Sequence, residues 1–160
     1  MCEAKLRGIA LQLPTTRPKR APILMSRVAI VIASSKAVVL ARRRRDALFG
    51  GLWEPPGADQ TDEQSRALMH LAKQLEIDPA AVRPMGEVEH ILSHRRMRVA
   101  VARVNLGRRK RWPIPTEEYE AVEVVPLANL DQYAHSALAA KELSVAELAN
   151  PRARSLRSVR

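Results

Sequence analysis

The chain has 160 residues, the length of one domain with a sizeable core, and its 46% apolar content excludes a mostly disordered protein. Lysine and arginine together number 27 against 17 acidic residues, and the net charge of +10 favours polyanionic partners such as nucleic acid. For charge alone, a well-solvated arginine-rich surface is an equally good interpretation.

Both ends of the chain are predicted to lie outside the folded domain. Three prolines interrupt residues 1–25, and because proline fixes φ and removes a backbone donor, this stretch is expected to be a basic linker. The folded domain is expected over residues 26–149. Residues 150–160 are rich in arginine and are expected to form a disordered basic tail.

The first predicted elements are strands. Two short runs rich in β-branched residues, 27–33 and 37–41, predict a β-hairpin with a buried face. Gly50 and Gly51 indicate a closely packed bend after the hairpin. Trp53, which is flanked by apolar residues, is predicted to belong to the core rather than to a stacking platform.

A helix is predicted over residues 61–76, with Thr61 as its cap and Asp78-Pro79 after its end. The later predicted elements are a β region over 85–106, a basic loop at 107–111, a strand over 121–125 and one or two helices over 127–148, broken near Tyr133. Strands that alternate with helices indicate an α/β domain.

The segment from Gly57 through the predicted helix resembles a Nudix box, G-x5-E-x7-R-E-U-x-E-E-x-G-U, where U is apolar. In Nudix hydrolases that helix presents glutamates that hold divalent cations against a diphosphate. Gly57 and Glu63 match the opening of the motif, but Lys73 and Gln74 stand where the metal-binding glutamates are required. An ordinary amphipathic helix is therefore predicted, and metal binding by Glu63 and Glu76 in a shifted register is the alternative.

Two further segments resemble the C-terminal domain of the adenine DNA glycosylases of the MutY family. Residues 51–57 read Gly-Leu-Trp-Glu-Pro-Pro-Gly, similar to the family's G-L-W-E-F-P-G, and residues 90–94 read His-Ile-Leu-Ser-His, similar to H-x-F-S-H. Residues 126–130 and 137–141 are similar to the end of the family's domain. The resemblance covers residues 2–143 and implies a Nudix-like mixed β-sheet sandwiched between α-helices.

The N-terminus resembles the same family. Cys2 is similar to the last of the four ligands of the family's 4Fe–4S cluster, but it stands alone here because the chain holds no other cysteine. The helical glycosylase domain that carries the cluster is missing from the chain. We therefore expect no cofactor on this chain, which is interpreted as a gene fragment, a split subunit or a repurposed domain.

The resemblance implies recognition of 8-oxoguanine opposite adenine in DNA during base excision repair. Ser93 would hydrogen-bond the oxidised base, since a hydroxyl both donates and accepts. The other predicted lesion or DNA contacts are Leu92, His94, His90, Arg95 and Arg96, and the candidate phosphate contacts are Arg43, Arg44, Arg109 and Lys110. Leu92 replaces the family's phenylalanine, which weakens any stacking role at that position.

His90 and His94 are four residues apart on a predicted strand, which would place them on one face. A zinc ion would need two further ligands that the neighbourhood does not offer, so no metal is expected there. No apolar run is long enough for a membrane helix and no signal peptide is recognisable, so a cytoplasmic monomer is expected.

The chain alone has no apparent nucleophile, carboxylate pair or metal site, so it is not expected to be an enzyme. The first alternative is a metal-dependent Nudix hydrolase of nucleoside diphosphate derivatives. The second is a non-catalytic partner that completes a separately encoded glycosylase domain.

Overall fold

A computed structural model describes residues 21–92 and 94–148. The predictions for Cys2, for Ser93, for most of the linker and for the C-terminal tail lie outside the described residues. None of the described helices is long and apolar enough to cross a membrane.

The described elements are strands, α-helices and two short 3₁₀ helices. In chain order they are β1 (Ile23–Ala33), β2 (Ala37–Arg43), β3 (Trp53–Glu54), β4 (Gly57–Asp59), α1 (Gln64–Gln74), a 3₁₀ helix (Pro79–Ala81), β5 (Arg83–Leu92), β6 (Arg95–Asn105), β7 (Tyr119–Pro126), a 3₁₀ helix (Leu127–Gln132) and α2 (Ala137–Val145).

Strand β1 lies at the centre of a mixed sheet. It pairs in parallel with β6 over its whole length, from Ile23 beside Arg95 to Ala33 beside Asn105. Its other edge is shared between β4 and β2, both antiparallel to it. The strand order is β3-β2-β1-β6-β5, with β4 beside β1 and β7 beside β2.

Both faces of this sheet are covered by helices because β1 is apolar on both sides. The even-numbered residues of 28–33 pack in a layer with α1, which contributes Leu68 and Leu71. The odd-numbered residues pack in a layer with α2, which contributes Leu138 and Leu143. Alternation along a strand sends successive side chains to opposite faces, so one strand serves both cores. The predicted fold class, a mixed sheet sandwiched between helices, is confirmed.

The helix predictions needed two corrections. Helix α1 begins at Gln64, with Glu63 rather than Thr61 at the cap position, and no side chain caps it. It ends well before Asp78, whose carboxylate instead accepts a hydrogen bond from the Ala80 amide (2.9 Å) and caps the 3₁₀ helix. The predicted break near Tyr133 is confirmed, since this residue ends the second 3₁₀ helix.

The β region predicted over 85–106 is a hairpin of β5 and β6, with a tight turn between Leu92 and Arg95. His90 lies on β5, whereas His94 lies in the turn. The prediction that the two histidines share one face of one strand is therefore wrong, because the chain reverses direction between them.

Candidate functional site

The turn end of the β5–β6 hairpin, residues 90–96, is called the hairpin tip below. It carries five of the six predicted lesion contacts within the described residues. The backbone amide of Ile23 donates to the His94 carbonyl (2.9 Å), which fastens the start of β1 to the tip. The tip is therefore held by the central strand β1 as well as by the antiparallel pairing of β5 with β6.

One face of the tip is half-buried. His90 and Leu92 lie on the side of the sheet that packs with α2, and the His90 ring lies 6.3 Å from the Phe49 ring, centroid to centroid. Burial, and then the positive charge of Lys141, lowers the pKa of His90, which favours the neutral imidazole. His90 can therefore accept as well as donate a hydrogen bond at neutral pH.

The opposite face of the tip is apolar and basic at the same time. Ile91 is 69% exposed and Leu24 is 61% exposed, and Arg96 stands between them in the register of β5, β6 and β1. Arg96 donates two hydrogen bonds to the Glu89 carboxylate, at 2.7 and 3.0 Å. Arg95, on the other face, is half-buried.

A second loop, residues 44–51, lies beside the tip, as the proximity of the Phe49 ring to the His90 ring shows. A Cβ atom at Gly50 would stand 2.3 Å from the Arg45 carbonyl oxygen, so this position requires glycine. Arg44 is exposed and forms two hydrogen bonds with Asp46, each 3.1 Å. The structure thus brings one predicted phosphate contact, Arg44, to the same end of the molecule as the predicted lesion contacts.

The prediction of a phosphate contact at Arg43 is wrong. The side chain is 2% exposed, and its guanidinium donates to Glu54 (2.8 Å) and Glu118 (3.0 Å). It also stacks over the Tyr119 ring at 5.2 Å. With its donors committed inside the protein, Arg43 cannot reach a DNA backbone.

Arg109 is also not a phosphate contact in this structure. Its guanidinium donates to the carbonyls of Leu75 (3.4 Å) and Glu76 (3.3 Å), pairs with the Glu76 carboxylate and lies 4.6 Å from the Trp112 ring centroid. It therefore caps the C-terminal end of α1, where the last carbonyls lack helical partners.

Lys110 is exposed, but it is far from the hairpin tip. It follows the last residue of β6, whereas the tip contains the first, Arg95. Eleven residues of strand at about 3.3 Å each separate these ends by roughly 30 Å. A phosphate contact at Lys110 stays a prediction and would belong to a different part of the surface.

The sequence analysis missed a buried ionic cluster, which comprises Arg27, Arg43, Glu54, Glu118 and Tyr119. Arg27 is 5% exposed and donates to Glu118 (3.1 Å) as well as to Asp59 (2.9 Å). The Tyr119 hydroxyl donates to Glu54 (2.7 Å) and accepts from the Gly57 amide (3.1 Å). Burial, and then the charge of Glu54, raises the pKa of Tyr119 well above its usual range.

Glu142 of α2 faces this cluster and is 4% exposed. Burial, and then the negative charge of Glu54, raises the pKa of Glu142 to about 8. Within residues 21–92 and 94–148, its carboxyl group makes no hydrogen bond or ion pair. Glu142 therefore stays protonated at neutral pH.

The exposed face of α1 does not fit the divalent cations of a Nudix hydrolase. It presents Arg66, His70 and Lys73, whose donor atoms suit anions rather than Mg²⁺. Glu63 and Glu76 flank opposite ends of the helix, and Glu76 is paired with Arg109. Among the described residues, no group of three or more His, Cys, Asp or Glu side chains is arranged to hold a metal ion.

Residues 27–144 match the NUDIX domain family, and the chain belongs to that family. No curated protein matches the chain. The similar solved structures include the C-terminal domain of mouse MUTYH in complex with human PCNA, at 21% identity and a TM-score of 0.57, covering 77% of this chain and 87% of that one.

Two other similar structures come from bacteria. One is the NUDIX domain of Shewanella oneidensis NrtR complexed with ADP ribose, at 19% identity and a TM-score of 0.60, covering 92% of this chain and 97% of that one. The other is a MutT NUDIX hydrolase from Burkholderia pseudomallei, at 17% identity and a TM-score of 0.60, covering 76% and 96%. At these identities the likeness establishes the fold alone.

Proposed function

We propose that this chain is a DNA-lesion recognition domain that senses 8-oxoguanine opposite adenine through its hairpin tip. The observation that carries the proposal is the composition of the tip. Exposed apolar side chains stand beside arginines on a rigid two-stranded support, and His94 lies in the turn that this support carries.

This composition suits a damaged duplex. Arginines contact phosphates and fix the position of the protein, whereas contacts to base edges provide specificity. Ile91 offers an apolar surface to a disturbed base step, and its neighbour Arg96 is an exposed cation that would exchange its pair with Glu89 for a phosphate. Turns that project from a firm sheet are common places for binding residues.

The likeness to the C-terminal domain of mouse MUTYH is compatible with this function. The hydrolase alternative is supported by the likeness to the Burkholderia protein, but α1 offers Lys73 and Gln74 where that chemistry needs carboxylates. Lesion recognition needs no catalytic group on this domain, and excision of the base would be the work of a glycosylase domain.

The proposal is tested with Ser93→Ala, measured by fluorescence anisotropy on an 8-oxoguanine·adenine duplex and on the matching undamaged duplex. Loss of one base-edge contact, worth about 1–3 kcal/mol, is expected to lower the lesion preference by roughly 5- to 150-fold. Ser35→Ala, in the exposed turn between β1 and β2, is the control. An unchanged ratio of the two affinities in Ser93→Ala would contradict the proposal.

The hydrolase alternative is tested separately. The purified chain, incubated with Mg²⁺ or Mn²⁺ and 8-oxo-dGTP or ADP-ribose, is expected to release no product above a protein-free blank. Turnover that disappears in Glu63→Gln would move the protein to the hydrolase class.

A further inference from the structure

A groove of about 400 Å³ lies between α1 and the segment that leaves β4. Its lining includes Ala58, Asp59, Asp62, Arg66, His70 and Lys73. It is separate from the hairpin tip and from the buried ionic cluster, and the proposed lesion recognition assigns it no role.

Three basic side chains form a stripe along one side of this groove. Arg66, His70 and Lys73 are four and three residues apart, so they lie on one face of α1, and all three are exposed. In the part of the chain that the structure describes, none of the three side chains forms an ion pair or a hydrogen bond. Their donors are thus available to a ligand.

The acidic residues of the groove do not neutralise this stripe. Asp59 is already paired with the buried guanidinium of Arg27 at 2.9 Å. Asp62 is exposed before the start of α1 and forms no ion pair within the described residues. The groove therefore has a surplus of positive charge over available negative charge.

We infer that this groove binds a phosphate group directly, without a divalent cation between protein and phosphate. The helix itself supplies the positive charge through the exposed side chains of Arg66 and Lys73. Arginine and lysine bind phosphate oxygens through charge-assisted hydrogen bonds, and a histidine ring N–H adds a further donor.

Two sources could supply that phosphate. Arg96 and Arg98 lie on the same face of β6 as Ala100, which packs in the layer of α1, so a DNA backbone at the hairpin tip could extend along this face towards the groove. A free nucleotide diphosphate is the other source. The inference does not depend on lesion recognition, since phosphate contacts are alike on damaged and undamaged DNA.

The test uses the full chain in EDTA with two probes. Inorganic pyrophosphate is titrated by NMR, with the α1 amide shifts as the readout, and a duplex of about 20 base pairs is titrated by fluorescence anisotropy. Arg66→Gln/Lys73→Gln is compared with Lys36→Gln/Arg83→Gln, which removes the same charge from exposed positions elsewhere. All four positions are exposed, and circular dichroism verifies that both variants fold.

The groove variant is expected to bind at least one probe about three- to tenfold more weakly than the control variant. A loss confined to the duplex assigns the site to a phosphodiester, and a loss with pyrophosphate assigns it to a free diphosphate. Equal losses in the two variants, no binding of either probe by the parent chain in EDTA, or binding that requires added Mg²⁺ overturns the inference. The lesion preference of the groove variant is expected to stay unchanged, which separates this result from the test of Ser93.

Discussion

Single arginines within one run have very different roles in this protein. Arg42 to Arg45 are consecutive, yet Arg43 is buried among acids whereas Arg44 and Arg45 are exposed. The register of β2 against β7 shifts between Arg42 and Arg43, and this irregularity accompanies the inward position of Arg43. Chemically identical neighbours are thus distinguished by the backbone geometry of β2 and by the acidic partners that Arg43 meets inside the fold.

Arg43→Ala is expected to destabilise the domain by about 3–5 kcal/mol, because it leaves Glu54 buried without its closest cation. Urea denaturation followed by circular dichroism measures the change. Arg44→Ala removes a charge of the same kind from an exposed position and is expected to leave the free energy of unfolding essentially unchanged. A loss no greater in Arg43→Ala than in Arg44→Ala would contradict the structural role of the cluster.

Glu142 is expected to make stability depend on pH. Below pH 4.5 the carboxyl is protonated in both the folded and the unfolded chain. Between about 4.5 and 8 the unfolded chain loses this proton and the folded chain keeps it, so stability falls as pH rises, by up to about 1.4 kcal/mol per unit. Above about pH 8 the fall levels off, since both states are then ionised.

Glu142→Gln replaces the titrating carboxyl group with an amide that does not ionise, and it is expected to flatten the decline of stability with rising pH. Urea denaturation at pH 5, 6.5 and 8 should give the variant its greatest advantage over the parent chain at the highest pH. Glu147→Gln, which alters a 77% exposed carboxylate two residues after α2, is the control and should keep the parental slope. An unchanged slope in Glu142→Gln would show that another group controls the decline.

At the scale of elements, the positions of the strands were easier to predict than which strands pair with each other. The β-branched runs of β1 and β2 identify them as buried strands from local pattern alone. The parallel pairing of β1 with β6 joins segments about 70 residues apart, and no local signal specifies it. Local chemistry also mispredicted the start of the helix. Thr61 is a residue type that caps helices, but α1 begins at Gln64.

The candidate site was predictable in the same uneven way. The resemblance identified residues 90–94 as a candidate site, but both histidines were predicted to lie on one strand, whereas His94 lies in the turn after β5. The buried ionic cluster could not be found from the sequence, because its members lie far apart along the chain. Arg27, for example, is distant in sequence from both of its partners Glu54 and Glu118. Charged residues in a sequence predict exposure by default, and only tertiary pairing overrides that default.

The end of α1 depends on a residue from a different element. Arg109→Ala is expected to lower stability by about 1 kcal/mol, since two terminal carbonyls lose a charged donor. Amide hydrogen exchange is expected to increase most near Leu75 and Glu76. Arg108→Ala, the adjacent exposed arginine, is the control and should leave both quantities unchanged. Equal effects of the two substitutions would show that Arg109 does not cap the helix.

At the scale of the whole molecule, the net charge of +10 should dominate DNA affinity. Neutralising several phosphates releases bound counterions, so affinity is expected to fall by orders of magnitude between about 50 and 200 mM salt. Anisotropy titrations across that range measure the slope of log affinity against log salt. An affinity that does not change with salt concentration would contradict a phosphate-based interaction.

The eleven-residue parallel pairing of β1 with β6 also governs how the chain reaches its fold. The β5–β6 hairpin is local and can close early, but β1 must wait for about 70 residues to be synthesised before its partner exists. Until then an apolar strand has one unpaired edge and is vulnerable to association with other chains. Substitutions such as Val31→Ala would therefore act on the yield of folded protein during synthesis as well as on the final stability.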